Sequence, residues 1–175
     1  ETGDYLANDL ETICANFGGE NIAACIVEPI AGSTGTLVPP KGYLQKLREI
    51  CDKHGILLIF DEVITGWGRT GSKFAAHEFG VTPDIMTMAK ATTNGVVPMG
   101  VVACNDYIYD AVMDSSPMGS VELFHGYTYS GIPVAVAAAL AVQDIFEKED
   151  IFNRAKDLAP YFQKGLFSLQ DLESV

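Results

Sequence analysis

Residues 43–60 read YLQKLREICDKHGILLIF, and a change of period inside this stretch decides the fold. Tyr43, Leu44, Leu47, Ile50, Cys51 and His54 recur at spacings of three and four, which puts them on one stripe of a helix. Gly55 reads as its C-cap. Ile56 to Phe60 then form a continuous apolar run of strand length. A run without polar alternation suits a strand buried on both faces, as parallel sheets require. IAACIV at 22–27 has the same character, so strand, helix and strand read as one right-handed crossover unit.

The pattern extends in both directions. Leu6, Leu10, Ile13, Cys14 and Phe17 predict an amphipathic helix stopped by Gly18-Gly19. Downstream, a glycine-rich loop (66–71) leads to a short helical segment at 74–79. DIMTMAK (84–90) and MGVVAC (99–104) read as strands, and two helices are expected at 133–147 and 152–166. The first of these, VAVAAALAVQDIF, is apolar on most sides and is expected to pack in the core. The alternation gives an α/β fold with a mostly parallel sheet flanked by helices.

Composition removes several function classes. With 48% hydrophobic and 19% charged residues over 175 positions, the chain is neither disordered nor low-complexity, and is about one domain long. No apolar run approaches the roughly 20 residues of a membrane span, because VAVAAALAV is followed by Gln143 and Asp144. A net charge of -12 repels phosphate backbones and disfavours nucleic-acid partners. Cys14, Cys25, Cys51 and Cys104 form no CxxC, and His54, His77 and His125 do not complete a metal-ligand spacing. The expectation is therefore no metal site and no disulfide framework, but buried reduced thiols in a cytoplasmic protein. The chain begins at Glu1 without an initiator Met and reads as a piece of something longer.

Open α/β sheets bind ligands at the carboxyl ends of their strands. Three polar groups fall there: Glu28 after IAACIV, Asp61-Glu62 at the end of ILLIF, and Lys90 after DIMTMA. Asp61 and Lys90 are expected on one rim as a buried pair. An amine set among Met86, Met88 and Ala89 gives up its proton more readily and becomes a nucleophile toward carbonyls. A nearby carboxylate would hold a pyridine nitrogen protonated, and the two together are the minimal protein contribution to pyridoxal phosphate chemistry.

Gly66-Trp67-Gly68-Arg69-Thr70-Gly71 matches GxGxxG, the dinucleotide fingerprint, but the reading is rejected. Five residues separate the strand from the first glycine, Trp67 crowds the backbone, and two carboxylates oppose a pyrophosphate. Arg69 is expected to anchor the loop. In HGYTYSGIP (125–133), Thr128 and Ser130 are natural N-cap types ahead of a helix whose N-terminus could take an anion.

Three blocks resemble a known family: IVEPIAGSTGTLVPPKGYLQKLREICDKHGILLIFDEVITGWGRTG, PDIMTMAKATTNGVVPMG and HGYTYSGIPVAVAAALA. They look like the class III aminotransferases, fold type I pyridoxal-phosphate enzymes, and most like the omega-amino acid (beta-alanine) pyruvate aminotransferases. The resemblance implies pyridoxal 5'-phosphate as cofactor, an amino donor and a keto acid acceptor such as pyruvate as substrates, and a homodimer or larger assembly with the site at the interface. It implies that Lys90 is the lysine that forms the Schiff base and shuttles the proton, and that Asp61 pairs with the pyridinium nitrogen. Val63 would pack on a ring face, Thr128 would bind the cofactor phosphate across the interface, and Glu28 would be a carboxylate behind the cofactor. Residues 1–150 would be part of the large cofactor-binding domain, with 151–175 a helix leading toward a C-terminal small domain. Ornithine- and GABA-type members read DEVQTG where this chain has Ile64, and tend to carry a gating carboxylate where it has Ser33. Ile132-Pro133 stands where many members read HP.

Overall fold

A computed structural model describes residues 3–118, 123 and 125–172. Helix α1 (Asp4–Phe17) ends at Gly18, strand β1 is Ala24–Val27, and α2 (Tyr43–His54) ends on Gly55. Gly55 adopts φ 69°, the left-handed C-cap that its sequence position predicts. Strand β2 is Leu57–Asp61, followed by the short α3 (Ala75–Phe79) and by β3 (Ile85–Met88). Strand β4 (Val101–Cys104) precedes α4 (Asp106–Ser115), α5 (Pro133–Lys148) and α6 (Ile151–Phe167). Helix α4 is an addition to the elements expected from the sequence.

The four strands lie in the order β1-β2-β3-β4. The first three are parallel, with Ile26 opposite Ile59 and Asp61 opposite Thr87, while β4 runs antiparallel to β3. One face of this sheet is covered. Leu58 and Phe60 pack with Leu44, Leu47, Ile50 and Cys51 of α2, Ala7 and Cys14 of α1, and Ala76 of α3. The other face is not: Ile26 is 62% and Val102 69% exposed. The expectation of strands buried on both faces thus holds for one face only, because α1, α2 and α3 all contribute to the same core. Helix α5 departs from its expected core position in the same way. Only Ala135 is buried along it, and Val134, Leu140 and Ile145 are exposed. Cys14 and Cys51 are buried free thiols as expected, whereas Cys104 is exposed.

At the amino ends of the strands, Asp84 fastens three elements. Its Oδ2 accepts hydrogen bonds from the Leu58 N–H and from Arg48 Nη1, each at 2.7 Å, and its Oδ1 accepts from the Tyr107 hydroxyl at 2.8 Å. Burial alone would raise the Asp84 carboxyl. The Leu58 N–H, the Arg48 guanidinium and the Tyr107 hydroxyl outweigh it and hold the group below the ordinary carboxylate range. A depressed carboxyl contributes stability above its unfolded pKa of about 4 and loses it as pH falls through the folded value. Asp84→Ala should therefore cost about 1–3 kcal/mol at pH 7, since it leaves the Leu58 N–H without its acceptor and Arg48 with Asp52 as its remaining carboxylate among the described residues. Thermal melts at pH 7 and pH 3 check this: the gap between wild type and variant should shrink at the lower pH.

Candidate functional site

The parallel pairing of β2 and β3 delivers Asp61 and Lys90 to the same rim. Asp61 is the last residue of β2 and sits opposite Thr87, and the Glu62 N–H donates to the Thr87 carbonyl at 2.9 Å to close the ladder. Lys90 follows three residues later, at the head of a 3-10 turn, Lys90–Thr92. Asp61 is half-buried and shares the open face of the sheet with Thr87. Its Oδ1 accepts the Val63 N–H at 3.0 Å, and among the described residues no other hydrogen bond or ion pair engages it. Lys90 is exposed, and among the described residues nothing pairs with its ammonium. The expected buried acid–lysine pair is thus absent, although both groups occupy one rim.

A cavity of about 620 Å3 opens at this rim. Val63, Thr87 and Ala89 line it from the sheet side, and Tyr127, Tyr129 and Ala135 from the segment entering α5. Asp61, Lys90 and Thr128 are not lining residues, but each has neighbours that are. Thr128 is exposed, and among the described residues its hydroxyl has no partner. Neither it nor Ser130 caps α5: Ile132 occupies the N-cap position, Pro133 starts the helix, and the Ser130 hydroxyl instead accepts the Tyr127 N–H at 3.1 Å. Proline at the first helical position needs no capping partner for its missing N–H. Glu28 is spent on its own loop, where its Oε2 accepts the Gly32 N–H at 2.9 Å.

Two neighbours of the site take roles that the sequence reading did not assign to them. Glu62 is 0% exposed, beside Asp61, and its carboxylate accepts three hydrogen bonds. Oε2 takes the Thr65 hydroxyl at 2.9 Å and the Ala75 N–H at 2.7 Å, and Oε1 takes the Ala76 N–H at 2.8 Å. Period-2 alternation was the signal that could have found it, because Asp61 on the open face sends Glu62 to the side of Phe60. Trp67 is the other. Its indole N–H donates to the Thr92 hydroxyl at 3.0 Å, and its ring meets Phe74 edge-on at 4.8 Å between centroids. Arg69, expected to anchor this loop, is exposed and unpaired among the described residues, so Trp67 holds the place assigned to it.

Lys90 itself adopts φ 45°. That left-handed conformation costs a non-glycine residue about 1–2 kcal/mol and persists where the surroundings enforce it. The Ala89 carbonyl accepts both the Thr92 N–H and the Thr92 hydroxyl at 3.0 Å, and the Lys90 carbonyl accepts the Gly95 N–H at 3.3 Å.

Residues 2–175 match the family model described as Aminotransferase class-III. The chain is 58% identical over its whole length to an omega-aminotransferase of Caulobacter vibrioides, covering 40% of that protein. It is 54% identical to a beta-alanine–pyruvate aminotransferase of Pseudomonas aeruginosa, over 99% of this chain and 39% of the relative. Among solved structures, an (S)-enantioselective omega-transaminase from Thermomicrobium roseum superposes with a TM-score of 0.90 at 42% identity, over 97% of this chain and 37% of that one. An amine transaminase from an uncultivated Pseudomonas species, described as PLP-bound, gives 0.89 at 43% identity, over 97% of this chain and 38% of the other. The chain therefore spans about two fifths of the length of the curated relatives it matches.

The adjacent carboxylates at the end of β2 should respond unequally to amide substitution. Glu62→Gln sets an NH2 group against a backbone N–H and should cost about 2 kcal/mol. Asp61→Asn can keep its single accepted hydrogen bond and should change stability by less than about 0.5 kcal/mol. Urea unfolding of the two variants beside the wild type measures both.

Proposed function

Because this chain belongs to the class-III aminotransferase family, we propose that the protein carrying it moves an amino group from an omega-amino acid or amine to pyruvate, with pyridoxal phosphate as cofactor. One observation carries the reading: the β2–β3 register brings Asp61 and Lys90 to one rim, neither of them in an ion pair among the described residues. The residues fit the cofactor. Among the described residues one Asp61 carboxylate oxygen and the Lys90 amine have no partner, and the cavity at their rim is lined by Val63.

When bound, pyridoxal phosphate supplies a carbonyl for amines and a ring that accepts an electron pair. Asp61 would hold a proton on the ring nitrogen, and Val63 would bear on the ring face. The Lys90 amine would hold the cofactor covalently at rest and, once released, carry the donor's α-proton on Nζ. The exposed Thr128 hydroxyl, without a partner among the described residues, supports a role toward the phosphate of a cofactor in a second copy, and so a dimer. Glu28, committed to Gly32, would shape the loop behind the cofactor and not touch it.

The choice of donor rests on Ile64 and Ser33, the two departures from GABA-type members. Gly32, the residue before Ser33, abuts Ile64: a Cβ added to it would lie 2.6 Å from Ile64 Cδ1. An apolar side chain there, with a neutral serine next to the glycine, leaves no gating carboxylate at this corner and favours pyruvate-linked omega-amino acid chemistry.

The test uses the full-length protein loaded with pyridoxal phosphate. Borohydride reduction should fix the cofactor to a peptide containing Lys90, and Lys90→Ala should lose both the label and the exchange of amino groups between beta-alanine and pyruvate. A label retained elsewhere in Lys90→Ala would refute the assignment.

A further inference from the structure

We propose that Trp67 is a positioning residue for Lys90, acting through the hydroxyl of Thr92. The proposal deepens the aminotransferase reading and rests on it. Lys90 sits in a left-handed turn that its own side chain does not favour, and the turn is held from one side by a short relay. The indole N–H of Trp67 donates to Thr92 Oγ1 at 3.0 Å, and that hydroxyl in turn donates to the Ala89 carbonyl, also at 3.0 Å. The carbonyl belongs to the peptide bond that leads into Lys90. Thr92 is 3% exposed, so water does not compete readily for its hydroxyl.

Trp67 is itself constrained. Its φ of 59° is unusual for so bulky a residue, and its backbone N–H donates to the Lys73 carbonyl at 2.7 Å. Phe74 packs edge-on against the indole and Phe146 of α5 stacks at 6.4 Å. Both ends of the relay are therefore unfavourable backbone conformations, each fixed by contacts outside its own turn. An indole is required for this, since a phenyl ring at position 67 would keep the aromatic contacts and lose the donor. What the relay sets is the direction in which the Lys90 side chain leaves the rim, and hence how its amine meets the cofactor.

The experiment compares Trp67→Phe and Thr92→Val with wild type and with Thr92→Ser, which keeps the hydroxyl, in the full-length protein. Hydrogen exchange at the Thr92 and Gly95 amides is read without cofactor. The pH midpoint of the visible absorption is read with pyridoxal phosphate bound, and kcat and KM are measured for beta-alanine. Loss of the relay should speed exchange about tenfold. It should also move the absorption midpoint by half a pH unit or more and lower kcat about tenfold with KM within twofold, while Thr92→Ser tracks the wild type. Faster exchange with an unmoved midpoint and kcat would make Trp67 merely structural and overturn the proposal, as would no change in exchange. Failure of both variants to fold beside a normal Thr92→Ser would overturn it in the same way. An unmodified protein that takes up no pyridoxal phosphate would sink the aminotransferase reading and this proposal with it. Normal uptake with unmoved readouts in the variants would sink the proposal alone.

Discussion

The site depends on two strands running in the same direction at a fixed register. Asp61 pairs with Thr87, and the Glu62 N–H to Thr87 carbonyl bond is the final rung before the chains part. Were β3 antiparallel to β2, the turn bearing Lys90 would emerge at the opposite rim, near the start of β2 at Leu57. Were the register shifted by one residue, Thr87 would change faces and the carboxylate would face the wrong side of its neighbour. The buried side of the sheet forbids that slip. Leu58 and Phe60 fill the core against α2, and moving them outward would expose two large apolar side chains while placing Ile59 and Asp61 inside. Hydrophobic burial on one face therefore sets the chemistry available on the other.

Much of this was legible before any coordinates. ILLIF after a left-handed Gly55 is a strand for reasons that lie within six residues, and the same holds for the helices whose stripes recur at three and four. The shared rim of Asp61 and Lys90 followed from parallel connectivity alone. What the sequence did not disclose depended on groups distant along the chain. Glu62 reads locally as a solvated acid, yet its hydrogen-bond donors come from positions 65, 75 and 76. Trp67 and Thr92 are joined across 25 residues. Helix α4 carries a start signal in Asn105 at its N-cap and Asp106 in its first turn, but what anchors it is distant: Tyr107 reaches Asp84 across 23 residues. The exposure of Ile26 and of α5 could not be read either, because periodicity reports which side of an element is apolar and not whether anything covers it.

The glycines of the 66–71 loop show the same division between local pattern and tertiary use. In a dinucleotide fold, such glycines clear space for a pyrophosphate. Here they clear space for a helix. A Cβ at Gly68 would lie 2.8 Å from Phe152, and one at Gly71 would lie 2.6 Å from Lys156 Cγ, both on α6. Each glycine also adopts a positive φ, 90° and 84°, so a side chain would be strained by backbone as well as by contact. The loop thus ties α6 to the rim where Asp61 ends, and through Trp67 it reaches the turn of Lys90. Substituting either glycine would act first on the seating of α6, and would reach the lysine only through the indole. The pattern G-x-G-x-x-G takes its meaning from whatever approaches the bare backbone, which in this chain is its own helix.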